Sequence, residues 1–91
     1  MISKVGLLEN DFGTGLKVYP NSTQRNLKID LGANYPQINA KVFDAKGKLV
    51  SQKSFIDVQV FDLEIEGVNG VYFVQLETEN GLKAGIEFLK K

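Results

Sequence analysis

Apolar and polar residues alternate along several short segments of the chain, most clearly in its final third. Residues 71–78 and 82–89 carry apolar side chains at alternate positions, which is the period of a strand with one buried face. Asn80-Gly81 separates the two segments, and both residues tolerate the positive φ that tight hairpins need. The sequence therefore predicts a C-terminal β-hairpin whose second strand belongs to the core.

Turn-forming residues recur about every 8–12 positions from Leu16 onward, a spacing typical of antiparallel sandwiches and barrels. No segment carries an apolar i, i+3, i+4 stripe long enough for a helix. The pattern predicts an all-β fold, a seven-stranded antiparallel immunoglobulin-like β-sandwich. The predicted strands lie at residues 16–19, 26–31, 38–43, 49–55, 58–65, 71–78 and 82–89.

The chain divides into an N-terminal arm, residues 1–15, and a sandwich domain, residues 16–91. The arm is rich in Asn, Asp and Gly and has little periodicity, so it is expected to be a linker or a loosely docked segment. Asp44–Gly47 predicts a tight turn in which Gly47 takes a left-handed conformation. The predicted core consists of apolar residues on the buried face of each strand: Leu27, Ile29, Val42, Leu49, Phe61, Leu63, Tyr72, Val74, Leu76, Ile86 and Phe88.

Composition restricts the chemistry available to this chain. Its 91 residues include no histidine and no cysteine, which argues against imidazole bases, thiol nucleophiles and ordinary zinc sites. A small enzyme would need a pair of carboxylates, and no Asp or Glu pair has a recognisably buried context. Eleven basic residues balance eleven acidic ones, whereas nucleic-acid-binding proteins usually carry a basic patch. We therefore expect no catalysis, no cofactor, no metal and no nucleic-acid partner.

The chain also lacks sequence signals for a membrane. No stretch approaches the ~18–20 apolar residues of a membrane-spanning helix. The short apolar run at residues 5–8 is far smaller than the core of a signal peptide. We expect no membrane insertion, and we expect that this polypeptide could not be exported on its own.

Four segments have a recognisable pattern in a fixed order. They are Leu16–Asn21 (Leu-Lys-Val-Tyr-Pro-Asn), Asn39–Val50 with its Val-Phe-Asp and Gly-Lys-Leu-Val, Gly70–Val74 (Gly-Val-Tyr-Phe-Val), and the Lys-rich Phe88–Lys91. Together they resemble the type A C-terminal sorting domain of the type IX (Por) secretion system of Bacteroidetes. That family has a Val-Tyr-Pro-Asn-Pro opening, a Val-x-Asp-x-x-Gly-Lys-x-Val hairpin and a Gly-x-Tyr-x-Val strand.

The resemblance implies a secretion signal rather than an activity. Members of the family reach the periplasm through an N-terminal signal peptide, and outer-membrane machinery then reads the C-terminal domain and exports the protein. A surface peptidase usually cleaves the domain off, so the chain is expected to be part of a larger precursor with an upstream cargo and a secreted or cell-surface destination. The residues that the resemblance marks for sorting are Tyr19, Pro20, Asn21, Gly47, Val50, Gly70, Tyr72, Leu89, Lys90 and Lys91.

The first motif departs from the family pattern at two positions. Ser22 stands where the family usually has a second proline, and Arg25 stands where it usually has glycine. Because proline restricts φ and glycine permits positive φ, the turn that follows Asn21 is expected to be less preorganised.

Structural explanations compete with functional ones at the marked residues. Tyr72 is expected to pack in the core with its hydroxyl at the rim. Gly47 and Gly70 are most simply turn residues. Lys90 and Lys91 are expected to lie beyond the core, since Phe88 is the last inward residue of the predicted strand, and so to contribute little to stability.

Three further features leave alternatives open. Asp62, Glu64 and Glu66 share one strand face and could ligate Ca²⁺, but no calcium loop surrounds them, and acidic faces also protect sheet edges. Four apolar residues are expected to form a second inner face, the other interpretation being a partner patch: Val58, Val60, Val71 and Phe73. A carbohydrate-binding or adhesive module is the alternative function, although such modules usually present exposed aromatic platforms and the chain has no tryptophan.

Overall fold

Every regular element in the described part of the chain, residues 2–20 and 26–91 of this computed structural model, is a β-strand. The six strands are β1 (Ile2–Asn10), β2 (Lys17–Pro20), β3 (Asn26–Asp44), β4 (Leu49–Glu64), β5 (Gly70–Thr78) and β6 (Lys83–Lys90). Each paired strand runs antiparallel to its neighbours. Within these residues, no helix has the length and apolar character needed to cross a membrane.

The long hairpin of β3 and β4 takes part in both layers of the sandwich. Residues 38–44 of β3 pair with β5, and the same region pairs with residues 49–55 of β4, which gives sheet 1 the order β1-β6-β5-β3-β4. Residues 26–30 of β3 lie between β2 and residues 60–64 of β4, which gives sheet 2 the order β2-β3-β4. Both strands run through both layers, so the hydrogen bonds connect all six strands.

The crossing between the layers is a bend at one end of the sandwich. The pairing of β3 with β4 is interrupted between Asp30 and Tyr35, and Gly32 (φ 82°) and Asp57 (φ 52°) have positive φ there. A Cβ on Gly32 would lie 2.7 Å from backbone atoms of Gly15, so the bend requires glycine. The middle of each long strand therefore lies at this bend end, and its two termini lie at the opposite end.

Two predictions about strands are wrong in detail. The segments predicted as separate strands at 26–31 and 38–43 are one strand, as are those at 49–55 and 58–65, because β3 and β4 pair with each other on both sides of the bend. Ile2–Asn10, expected to belong to a linker or a loosely docked segment, form β1 and pair with β6. The all-β, immunoglobulin-like architecture is confirmed with six strands rather than seven.

The core lies between the two sheets and contains every predicted core residue except Leu49. Leu49 is 46% exposed because the β3–β4 register shifts between Leu49 and Ser51, and the shift places Leu49 opposite Phe43 on the outer face. The buried apolar residues are Leu16, Leu27, Ile29, Leu31, Ile38, Ala40, Val42, Phe61, Leu63, Ile65, Tyr72, Val74, Leu76, Ala84, Ile86 and Phe88.

The expected second inner face is only partly present. Val58 packs against the core, as predicted. Val60 and Val71 are exposed, and Phe73 alternates with the buried Tyr72 and Val74 and so lies on the outer face of sheet 1. The prediction is therefore wrong for three of the four residues, since their neighbours on the same strands already fill the core.

Candidate functional site

Segments that are distant in the sequence meet at the end of the sandwich opposite the bend, which we call the C-terminal end. Asp44 lies opposite Tyr72, and Gly70 lies opposite Lys90, so the β3–β4 turn, the β4–β5 loop and the end of β6 are neighbours in sheet 1. In sheet 2, Pro20 lies opposite Leu27. Leu27 lies opposite Leu63 of β4, which comes just before the β4–β5 loop. The antiparallel register thus brings part of each of the four sequence motifs to one end.

The β3–β4 turn is organised by the side chain of Asp44. Its Oδ1 accepts hydrogen bonds from the backbone N–H groups of Lys46 and Lys48, each at 2.9 Å. The backbone N–H of Gly47 donates to the carbonyl of Asp44 at 3.0 Å, and Gly47 has φ 84°. The predicted tight turn is therefore confirmed, and Gly47 is needed there for its conformation. Val50 follows on β4 and is exposed.

The β4–β5 loop, residues 65–69, is held in place by Tyr72. The hydroxyl of Tyr72 donates to the carbonyl oxygen of Val68 at 2.6 Å, and its ring stacks on Phe88 with centroids 5.8 Å apart. A Cβ on Gly67 would lie 2.8 Å from that hydroxyl, and Gly67 and Gly70 both have positive φ. Tyr72 is buried, as expected, and its hydroxyl fixes the path of the loop.

Lys90 lies inside this end of the molecule rather than beyond it. It is 3% exposed, and its Nζ donates a hydrogen bond to the carbonyl oxygen of Gly67. The expectation that Lys90 lies outside the core is wrong, because the inward alternation of β6 continues one step past Phe88. The aliphatic stem packs inward while the ammonium reaches a loop carbonyl.

The outward-facing residues of the same segment are available to a partner. Leu89 is half-buried on the outer face of sheet 1, opposite Val71, and Lys91 is exposed. A groove of about 280 Å³ separates the β3–β4 turn from the β4–β5 loop. Val68 lines this groove and is 81% exposed. This end therefore offers apolar and basic side chains around a rigid frame.

The first motif contributes less to the site than the other three. Tyr19 lies exposed on the outer face of sheet 2, opposite Lys28, and Pro20 is exposed at the end of β2. Asn21 lies outside the described residues, as do Ser22 and Arg25, so the predicted turn receives no structural account.

The site contains nothing that resembles a metal centre or an acid–base pair. Asp62, Glu64 and Glu66 are all exposed. Among the residues that the structure describes, no group of three or more Asp or Glu side chains is placed to hold a metal ion.

The family model for the secretion system C-terminal sorting domain matches residues 17–88, most of the chain. The chain belongs to this family. Its members are secretion signals rather than catalysts, and the family indicates export through the type IX system to the cell surface or the medium. The matched span begins at the first residue of β2, so β1 lies outside it.

The fold of this sorting domain also occurs in a solved structure. The chain is similar to a DUF3244 family protein from Bacteroides vulgatus ATCC 8482 with an immunoglobulin-like β-sandwich fold, at a TM-score of 0.75 and 15% identity. The similarity covers 99% of this chain and 97% of that one. At this identity it establishes the fold alone. No curated protein matches the sequence.

Two residues of the sorting domain that shape the site escaped the sequence prediction. Gly67 supplies the carbonyl that holds Lys90, and Val68 supplies both the acceptor for Tyr72 and the exposed apolar tip of the loop. The available signal was the pair of glycines at 67 and 70, which predicts a constrained loop. The other signal was the position of Lys90, two residues after the core residue Phe88, which places both on the same face of β6.

Proposed function

We propose that this sorting domain directs an attached cargo protein across the outer membrane, and that the export machinery reads the C-terminal end of the sandwich. The observation that supports this is the convergence of motif residues from β2, the β3–β4 turn, the β4–β5 loop and β6 at that end. A signal distributed in this way exists only in the folded domain, because the register of the sheets assembles it.

The residues marked by the family resemblance divide into two roles. Gly47, Gly70, Tyr72 and Lys90 give the turn and the loop their shape through positive φ and buried hydrogen bonds. The surface that a receptor contacts consists of the exposed or half-buried side chains at this end: the marked Val50, Leu89 and Lys91, and the unmarked Val68. The exposed side chains of Tyr19 and Pro20 extend this surface along sheet 2.

The partners in this proposal are components of the outer membrane and of the precursor itself. A receptor of the type IX machinery binds the C-terminal end, and a surface peptidase then separates the domain from the cargo upstream. Residues 1–15 form the connection in this scheme, although Ile2–Asn10 pair with the sheet. No nucleic acid and no insertion into the membrane are involved.

The alternative functions have less support. A carbohydrate-binding platform needs several exposed aromatic side chains, and Tyr19, at 47%, is the one exposed aromatic residue in the described ranges. Catalysis would need a group that exchanges protons near neutral pH, and the sequence has no histidine and no cysteine. We expect no turnover from the purified domain. Activity that disappears on substitution of one Asp or Glu would contradict this.

The surface role can be tested with a pair of matched substitutions. Val68 and Ile56 are both about four-fifths exposed, at 81% and 80%, but Val68 lies at the C-terminal end and Ile56 at the bend end. The full chain is fused to a periplasmic reporter in a bacterium with this secretion system, and Val68→Asp is compared with Ile56→Asp. Both proteins should fold with melting temperatures close to that of the parent, because neither side chain is packed.

Export should separate the two variants. We expect the parent fusion and Ile56→Asp to reach the medium or the cell surface, and Val68→Asp to remain in the periplasm. Normal export of Val68→Asp would refute the assigned surface. Failure of the parent fusion to leave the periplasm would refute the signal function itself.

A further inference from the structure

β1 covers the backbone edge of the C-terminal strand. β6 has β5 on one side, and on the other side β1 pairs with it from Ile2, opposite Lys90, to Asn10, opposite Ala84. Asp11 fastens the far end of β1, since its N–H donates to the carbonyl of Lys83 at 2.8 Å and its Oδ2 accepts from the Lys83 N–H at 3.0 Å. The backbone of the last strand is therefore paired on both sides.

β5 pairs with β6 in a regular register, whereas β1 pairs with it irregularly. The β5–β6 register runs without interruption from Gly70, opposite Lys90, to Glu77, opposite Lys83. The β1–β6 register shifts twice, between Ser3 and Gly6 and between Leu7 and Glu9. At each shift, β1 has one residue more than the stretch of β6 opposite it. The edge strand thus makes fewer regular backbone hydrogen bonds per residue than β5 does.

The described side chains of β1, residues 5–10, contribute little to the core. Val5 packs partly against it, but Leu7 and Leu8 are 48% and 62% exposed. β6, by contrast, buries Ala84, Ile86, Phe88 and Lys90 between the sheets through its own side chains. Because burial of apolar surface is the main source of stability, β1 can leave while β6 keeps its place beside β5.

The surface under β1 suits an extended apolar segment. Gly85 has no side chain, and a Cβ there would lie 3.7 Å from the Cβ of Leu8. Leu8 lines a groove of about 290 Å³ on the outer face of sheet 1, together with Phe43 and Phe73. A strand on the β6 edge that carries an apolar side chain over Gly85 would occupy the position of Leu8. The family match begins after β1, which indicates that β1 is not part of the shared signal.

We propose that β1 is a displaceable cover, and that an extended apolar segment of the export machinery adds as a strand to the β6 edge that β1 leaves. The inference rests on the proposed sorting function and names the surface through which recognition proceeds. A freed strand edge presents unpaired N–H and C=O groups, so main-chain hydrogen bonds supply the affinity and the groove at Gly85 supplies the selectivity. With β1 in place the same edge is closed.

A disulfide lock tests whether β1 must leave. The chain has no cysteine, so the pair Gly6→Cys and Glu87→Cys, which lie opposite each other, gives a single bond between β1 and β6. The control pair Phe73→Cys and Glu87→Cys shares one cysteine and links β6 to β5 instead. Both are made in the fusion of the full chain to a periplasmic reporter, with the melting temperature and the extent of disulfide formation measured on purified protein.

The lock on β1 should abolish export, whereas the lock on β5 should leave it intact. Export of the β1-locked fusion at the level of the parent overturns the displacement of β1, and failure of the unlocked parent is a separate result that concerns the sorting function. Hydrogen exchange of the isolated chain gives a second measurement that does not depend on export. Amides of β1 should exchange faster than those of β5, and equal protection would overturn the proposal.

The occupant of the vacated edge has its own test. If a second copy of this chain fills it, then a chain lacking residues 1–10 forms dimers whose proportion rises with concentration in sedimentation. That outcome assigns the edge to self-association and overturns the proposed partner. A truncated chain that stays monomeric supports a segment of the machinery.

Discussion

The two ends of the sandwich are closed by different means. At the bend end, the backbone of β3 and β4 passes from one sheet to the other, and closure depends on the close approach of Gly15 and Gly32. At the C-terminal end, separate segments meet, and side-chain hydrogen bonds from Tyr72 and Lys90 join them. A change at the bend therefore disturbs the whole fold, whereas the C-terminal end can vary its surface while the frame persists.

The largest expected effects come from the core that both ends share. Phe61 stacks on Phe55 with centroids 4.4 Å apart, and Phe88 stacks on Tyr72 at the C-terminal end. Phe61→Ala and Phe88→Ala should each lower the free energy of unfolding by ~3–5 kcal/mol, because each leaves a large cavity. Chemical denaturation measures this. A loss below about 1 kcal/mol for either variant would show that its end is not part of one cooperative core.

Two glycines with nearly the same conformation separate backbone strain from steric clash. Gly32 at the bend has φ 82° and Gly47 in the β3–β4 turn has φ 84°, but nothing lies within 4 Å of a Cβ on Gly47. Gly47→Ala should cost about 1–2 kcal/mol from conformation alone. Gly32→Ala should cost about 3 kcal/mol or more, because its Cβ also overlaps the backbone of Gly15.

The comparison of the two ends is tested by the difference in unfolding free energy between Gly32→Ala and Gly47→Ala, measured by urea denaturation. Equal losses would mean that the bend relaxes as easily as a surface turn. A larger loss for Gly47→Ala would reverse the comparison.

The smallest effects concern the last two residues and distinguish folding from recognition. Removal of Lys91, an exposed residue, should change stability by no more than about 0.5 kcal/mol. Removal of Lys90 as well should cost about 1–3 kcal/mol, because the buried stem of Lys90 leaves the core and the carbonyl of Gly67 loses its donor. Thermal unfolding of the two truncated chains measures these losses. The Lys90→Met variant keeps an apolar stem, so its loss of stability relative to the parent measures the contribution of the ammonium.

Export of the same variants gives the second readout. We expect the chain without Lys91, and a chain with extra residues after Lys91, to fold like the parent and yet to leave the reporter in the periplasm. Normal export of both would show that the end of the chain is not read. Loss of folding in both would assign the effect to structure.

Local pattern was sufficient for much of the fold. The alternation around Tyr72, Val74 and Leu76 predicted a one-sided strand, since successive side chains of a strand point to opposite faces. Gly47 marked a turn because few other residues accept its φ. In the predicted hairpin at Asn80-Gly81, Gly81 takes the positive φ. Such features depend on neighbours a few residues apart, and the sequence displays those neighbours directly.

Leu49 and β1 show where local pattern fails. Leu49 has the composition of a core residue, but a register shift against β3 turns it outward. β1 shows no clean alternation of apolar and polar residues. Its leucines Leu7 and Leu8 are exposed at the sheet edge, so no buried face there requires a period of two. In both cases the outcome depends on the partner strand, and a periodicity within one segment carries no information about the segment opposite.

The sequence by itself determined that this protein is built of strands, most of the residues that fill its core, and where two of its tight turns lie. The tertiary structure alone decided that β3 and β4 run through both layers, that β1 closes the edge of β6, and that Lys90 is buried against Gly67. The physical reason is range: backbone conformation and side-chain alternation are set by adjacent residues. Strand register and the acceptor of a buried ammonium are set by groups that only the packed sheets bring together.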